Sequence, residues 1–121
     1  MKIAITLGDP AGVGPEIIEK ALADPEITAL AEWTVIGERG NFAPGVLDAR
    51  AGAAAVESVR IATEMCLDGR AAAMVTAPLN KEAVVLSGRP FSGHTEYIAE
   101  LCGARESRML LAGGKPKTKS A

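Results

Sequence analysis

Short apolar runs alternate with stretches of helical spacing along most of the chain. β-Branched and apolar residues fill residues 2–7 up to a Gly-Asp-Pro turn, a pattern typical of a buried parallel strand. Similar runs predict further strands at residues 33–36, 71–76 and 108–112. Between them, apolar positions recur every three or four residues. They predict helices from Pro15 to the Asp24-Pro25 break and over residues 26–31, 51–67, 81–86 and 95–101.

This alternation predicts a small three-layer α/β sandwich with a mostly parallel sheet and right-handed crossovers. A chain of 121 residues can bury one modest core, so we expect a single α/β domain spanning residues 1–121. Ligands of such sheets collect at the carboxyl ends of the strands. The turns at residues 8–10 and 76–78 follow two of the predicted strands, so they lie where a ligand is expected.

The charge balance, the apolar stretches and the cysteines of the chain indicate which binding partners do not suit it. The chain has 13 Lys and Arg against 15 Asp and Glu, a formal net charge of −2, and no strong block of either sign. It therefore lacks the electrostatic signature of a protein that binds nucleic acid or an acidic membrane. No apolar stretch is long enough to span a bilayer. Cys66 and Cys102 stand far apart without a CxxC pair, so we expect reduced thiols in a cytoplasmic protein and no cysteine-type metal site.

The first loop, residues 8–16, carries two glycines next to a predicted helix start. It lacks the Gly-Lys-Ser/Thr ending of a Walker loop, and its spacing is not the GxGxxG of dinucleotide-binding folds. Gly12 and Gly14 suit either a tight strand-to-helix turn or an anion-binding loop. Asp9 has three open roles, as a metal ligand, as a partner of a ligand hydroxyl, or as the cap of its own turn, and the spacing favours the turn.

Two later motifs supply further polar groups. Lys81 falls in the first turn of a predicted helix, where a cation is electrostatically unfavourable, and this hints at a nearby anion. His94, the only histidine, is followed by Thr95 and Glu96. An imidazole, a hydroxyl and a carboxylate within one turn suit a phosphate or a polyol. A lone histidine is also commonly a polar surface residue, so from the residues alone both interpretations stay open.

Three ordered runs together carry a family resemblance. They are ITLGDPAGVGPE at residues 5–16, VTAPLNKE at 75–82 and GRPFSGHTE at 88–96. In combination they resemble the 4-hydroxythreonine-4-phosphate dehydrogenases of vitamin B6 biosynthesis. The resemblance implies NAD-dependent oxidation, with decarboxylation, of 4-phosphohydroxy-L-threonine or a related phosphorylated hydroxy acid. It also implies a homodimer with a divalent metal (Zn, Mg or Co) and an isocitrate/isopropylmalate dehydrogenase-like fold. His94 and Thr95 match the family's substrate-binding pair.

The chain departs from that family in two ways. The family's metal-binding histidines and its phosphate-binding residues follow the last of these runs, and we expect them, with most of the second family domain, to be missing here. Residue 40 also leads almost directly into residues 44–49, where relatives have a long segment. We therefore expect no metal ligands in this chain and no activity of the isolated chain. The alternative function is a catalytically inactive truncated fragment that at most binds a phosphorylated or anionic ligand. We also expect exposed apolar surface to drive self-association.

Overall fold

A computed structural model describes residues 1–38 and 40–103, so the strand predicted at residues 108–112 lies outside the described residues. Three parallel strands form its sheet: β1 Lys2–Thr6, β2 Glu32–Ile36 and β3 Ala73–Thr76. Their order is β2-β1-β3, with Ile5 opposite both Val35 and Val75. The parallel sheet predicted from the alternating pattern is confirmed.

Five helices occur in the described residues. They are α1 Gly14–Leu22, α2 Pro25–Thr28, α3 Ala49–Leu67, α4 Lys81–Leu86 and α5 His94–Leu101. Each corresponds to a predicted helix, with small differences at the ends. The largest helix begins two residues early because the Asp48 side chain accepts a hydrogen bond from the backbone N–H of Arg50. The third strand begins two residues late because the N–H of Ala71 bonds to Met65 on α3.

Helices pack on both faces of the sheet. Ala4 of β1 packs with Ala62 of α3 on one face, whereas the next residue, Ile5, packs with Ile18 of α1 on the other. Neighbouring residues of a strand point to opposite faces, so α3 and α1 form the two outer layers. The α/β fold with a parallel sheet and its three layers agrees with the prediction.

Both short C-terminal helices pack on α3. One buried cluster joins Val56 and Val59 of α3, Val84 of α4 and Tyr97 of α5. Asn80 starts α4 by accepting hydrogen bonds from the backbone N–H groups of Glu82 and Ala83. This packing fixes the starts of both helices, which carry Lys81 and His94.

The sheet face that carries α1 is only partly covered. Val35 and Val75, which flank Ile5 on that face, are 42% and 44% exposed. On α4, Val85 and Leu86 are more exposed still. No helix among the described residues is long and apolar enough to cross a membrane.

Candidate functional site

The loops that follow β1 and β3 meet at the carboxyl edge of the sheet. The backbone N–H of Asp9 donates to the carbonyl of Pro78, with an N···O distance of 3.1 Å. A cavity of about 470 Å³ opens beside this contact. It is lined by Asp9, Ala11, Gly12, Val13, Gly45, Val46 and residues 78–82. The two turns therefore meet as predicted, at the edge of the sheet where ligands of such folds are expected.

Asp9 caps its own turn. Its side chain is buried, and Oδ1 accepts a hydrogen bond of 2.8 Å from the backbone N–H of Ala11. This is the turn role that the spacing favours. The N–H of Gly12 in turn donates to the Asp9 carbonyl at 2.9 Å. Asp9 thus shapes the first loop and contributes a carboxylate to the wall of the cavity.

Gly12 and Gly14 of the first loop lie in different surroundings. Gly12 is exposed and lines the cavity. Gly14 is buried and does not line it, and a Cβ atom on Gly14 would lie 1.9 Å from the carbonyl oxygen of Leu7. Since such a contact is impossible, Gly14 lets the start of α1 pack directly on the end of β1. The structure brings Gly12, but not Gly14, together with Lys81.

Lys81 connects the cavity with the start of α5. Its side chain is exposed, lines the cavity, and also approaches Gly93, the residue that precedes α5. A Cβ atom on Gly93 would lie 4.0 Å from Lys81 Nζ and 3.1 Å from Glu96 Oε1. Gly93 has φ 152° and ψ 175°, a conformation essentially restricted to glycine. The motifs that contain Lys81 and His94 therefore lie side by side.

His94 is partly buried at the first position of α5. Its ring lies edge-on to Phe91, with the ring centroids 6.4 Å apart. Nε2 is buried, and neither ring nitrogen has a hydrogen-bond partner among the described residues. Burial lowers the pKa of His94, because desolvation disfavours the imidazolium. At neutral pH the ring is therefore an uncharged group that can donate or accept a hydrogen bond. Thr95 beside it is half-buried, and its hydroxyl likewise makes no hydrogen bond within the described residues.

The described residues do not suit a divalent metal. No group of three His, Cys, Asp or Glu side chains converges among residues 1–38 and 40–103. The cavity wall combines the carboxylates of Asp9 and Glu82 with the single ammonium of Lys81, which gives no positively charged cradle for a dinucleotide pyrophosphate. We therefore assign no chemical step to a metal or to NAD within this part of the chain.

Sequence reasoning missed one wall of the cavity. Gly45 and Val46 come from the loop between β2 and α3, and the N–H of Gly45 donates to the carbonyl of Ala11 at 2.7 Å. Neither residue belongs to a motif that the sequence marks as a site. Only a tertiary contact between the two loops brings them to the site.

Comparison with known proteins identifies the family. A family profile described as "Pyridoxal phosphate biosynthetic protein PdxA" matches residues 12–119. The chain belongs to the PdxA family. It is 34% identical to a 4-hydroxythreonine-4-phosphate dehydrogenase from Geobacter metallireducens, over 93% of this chain and 45% of the relative. It is 37% identical to a D-threonate 4-phosphate dehydrogenase from Salmonella typhimurium, over 95% of this chain and 48% of the relative.

Solved PdxA-family structures share the fold. A 4-hydroxythreonine-4-phosphate dehydrogenase from Burkholderia phymatum superposes with a TM-score of 0.81 and 32% identity, over 87% of this chain and 44% of that one. A putative 4-hydroxythreonine-4-phosphate dehydrogenase from Salmonella typhimurium gives a TM-score of 0.79 and 33% identity, over 86% and 45% of the two chains. The predicted family resemblance and the fold expected from it are confirmed.

The chain spans slightly under half the length of the curated relatives that it matches. The alignment with the Geobacter relative is 154 positions long, whereas the whole chain has 121 residues. The relative therefore has residues inside the matched region for which this chain has no counterpart. This agrees with the internal shortening predicted from the motifs.

Proposed function

We propose that this chain is part of a dehydrogenase that oxidises a phosphorylated hydroxy acid with NAD and decarboxylates the product. The PdxA family match over residues 12–119 carries this proposal. The names of the relatives support two substrates, 4-phosphohydroxy-L-threonine and 4-phospho-D-threonate. Both are small anions with hydroxyl groups, and the cavity edge with its neighbouring imidazole suits that class.

The residues of this chain would position the substrate. His94 and Thr95 offer an uncharged imidazole and a hydroxyl without partners among the described residues. They would orient substrate hydroxyl or acidic groups by hydrogen bonds. Because this role is positional, replacing either residue should raise KM more than it lowers kcat. In a complete enzyme the bound metal would supply Lewis acidity and NAD would accept the hydride.

The domain organisation and assembly belong to the same proposal. Residues 1–121 would form one partial α/β domain, with most of the second family domain lying outside this chain. Val75, Val85 and Leu86 leave apolar surface exposed, which favours a homodimer or self-association. The thiols of Cys66 and Cys102 are free, which fits a cytoplasmic location. Sedimentation of a strictly monomeric species at high protein concentration would contradict the proposed assembly.

The second candidate function is a catalytically inactive fragment that at most binds a phosphorylated or anionic ligand. The coverage of under half of the relatives favours it, together with the single histidine of the sequence. On either proposal the isolated chain should not reduce NAD, because the resemblance implies a metal site built from several histidines and this chain has one. NADH formation by the purified, metal-loaded chain would overturn that expectation.

A fusion experiment separates the two functions. The chain would be joined to the portion of the Salmonella D-threonate 4-phosphate dehydrogenase that lies beyond its match to this chain. NADH formation would be followed by absorbance with both proposed substrates and Zn²⁺, Mg²⁺ or Co²⁺. The dehydrogenase proposal predicts turnover that a His94→Ala fusion loses mainly through a raised KM. A fusion that is folded by circular dichroism and binds substrate, but forms no NADH, would favour the inactive fragment.

A further inference from the structure

Lys81 is unusual among the positively charged side chains that the structure describes. Most of the others have a partner. Lys2, Arg50, Arg60 and Arg70 form ion pairs, and Arg89 lies over the ring of Tyr97. Lys20 also has no ion pair within the described part of the chain, but it lies in the last turn of α1, where the helix dipole favours a cation. Lys81 has neither an ion pair among the described residues nor a favourable helix end.

The ammonium group of Lys81 lies beside the start of α5. Its Nζ lies 4.0 Å from the point that a Cβ atom on Gly93 would occupy, beside the first residues of α5. Glu96 Oε1 approaches the same point to 3.1 Å. The carboxylate alone would repel an anion at this corner, and the ammonium offsets it. Because Gly93 has no side chain, the space between these two charged groups stays open.

The neighbouring histidine cannot supply this charge. Burial lowers the pKa of His94, so its ring is neutral at pH 7. An acidic ligand held at His94 and Thr95 therefore needs its cation from another residue. Among the described residues, Lys81 is the unpaired cation that reaches this corner.

We propose that Lys81 is a substrate-binding residue that pairs with an acidic group, carboxylate or phosphate, of a ligand held at His94 and Thr95. This inference rests on the proposed function, since it assumes that His94 and Thr95 hold the ligand. Lys81 would make the site bind acidic polyols more tightly than neutral ones. A charge-assisted contact of this kind accounts for about a 10- to 100-fold difference in affinity.

The test is a binding titration of the full 121-residue chain by NMR. The ligand would be 4-phospho-D-threonate, and the readouts would be the dissociation constant and the amide shifts of Gly93, His94 and Thr95. Lys81→Gln should weaken binding about 10-fold or more. Lys20→Gln, which removes an exposed lysine far along α1, is the matched control and should leave the affinity unchanged.

Salt dependence separates a charge role from a structural one. Binding to the unmodified chain should weaken as salt is raised, and Lys81→Gln should show a smaller salt dependence. D-Threonate and erythritol 4-phosphate, which carry only one of the two acidic groups, identify the group that Lys81 contacts. Sensitivity of either ligand to Lys81→Gln supports the proposal.

Two results would overturn the inference, and they differ in what they say about the proposed function. Equal affinity or equal salt dependence of the unmodified chain and Lys81→Gln, with shifts still seen at His94 and Thr95, would reject the role of Lys81 alone. If the amides of His94 and Thr95 fail to move at millimolar ligand in either protein, the binding corner itself is rejected, and the role of Lys81 falls with it.

Discussion

Replacing Gly52 with alanine would place a methyl group where the backbone of α4 now lies. Gly52 is a buried residue near the start of α3. A Cβ atom there would lie 2.2 Å from the carbonyl carbon of Ala83 and 2.5 Å from the nitrogen of Val84. Carbon atoms in contact are normally about 3.5–4.0 Å apart. The obstacle is backbone and cannot turn aside as a side chain could, so α4 would have to retreat by about 1 Å or more.

Two opposing terms set the size of this effect. Alanine is more favourable than glycine inside a helix by about 1 kcal/mol. Overpacking of a well-packed contact typically costs about 1–3 kcal/mol, and occasionally more. Since the clash involves main-chain atoms of α4, we expect the cost to exceed the gain. The free energy of unfolding should therefore fall by about 1–2 kcal/mol. Because α4 carries Lys81, ligand affinity should fall as well.

The assay is urea unfolding followed by circular dichroism. Ala54→Gly is the matched control, because Ala54 is an exposed position on the same helix and its replacement reports helix propensity alone. That variant should lose about 1 kcal/mol. A Gly52→Ala variant more stable than the unmodified chain by a similar amount would refute the close contact between α3 and α4.

Three further predictions test the local structure by urea unfolding. Asn80→Ala should cost about 1 kcal/mol through loss of the α4 cap, whereas Asn80→Ser should retain most of the stability; equal losses would argue against the cap. The pKa of His94 is lowered from 6.5, so the unfolded chain binds more protons and stability should fall as the pH drops below about 6.5. His94→Gln should flatten this dependence, and an unchanged slope between about pH 7 and 5.5 would contradict it. Thr6 is fully buried, and its hydroxyl has no hydrogen-bond partner in residues 1–38 and 40–103, so Thr6→Val should be neutral or stabilising. Thr63→Val, which loses a hydrogen bond to the Val59 carbonyl, should lower the free energy of unfolding. A larger loss of stability for Thr6→Val than for Thr63→Val would contradict these hydrogen-bond assignments.

The elements of the fold could be predicted because their signals are local. Residues 80–88 show a cap, a helical apolar pattern and a terminating glycine, and α4 has the predicted bounds, Lys81–Leu86. The apolar runs predicted the strands in the same way. The strand order was not predictable by this means, because no local feature states that β1 lies between β2 and β3. It follows from how the helices pack on the two faces of the sheet.

The candidate site was predictable only in part for the same reason. Asp9, Gly12, Lys81 and His94 stood out by residue type and spacing. The approach of Lys81 to Gly93, however, depends on the packing of two helices against α3. Such contacts join residues distant in sequence, so no pattern within a single motif encodes them.

A map of amide shifts while 4-phospho-D-threonate is added to the chain tests the proposed binding site most directly. We expect saturable movement of the His94 and Thr95 amides, together with those of Gly12 and Lys81 across the same edge of the sheet. Amides at the opposite edge, such as Lys2, should stay in place. Unmoved signals at His94 and Thr95 at millimolar ligand, or movement confined to the opposite edge, would contradict the proposed binding site.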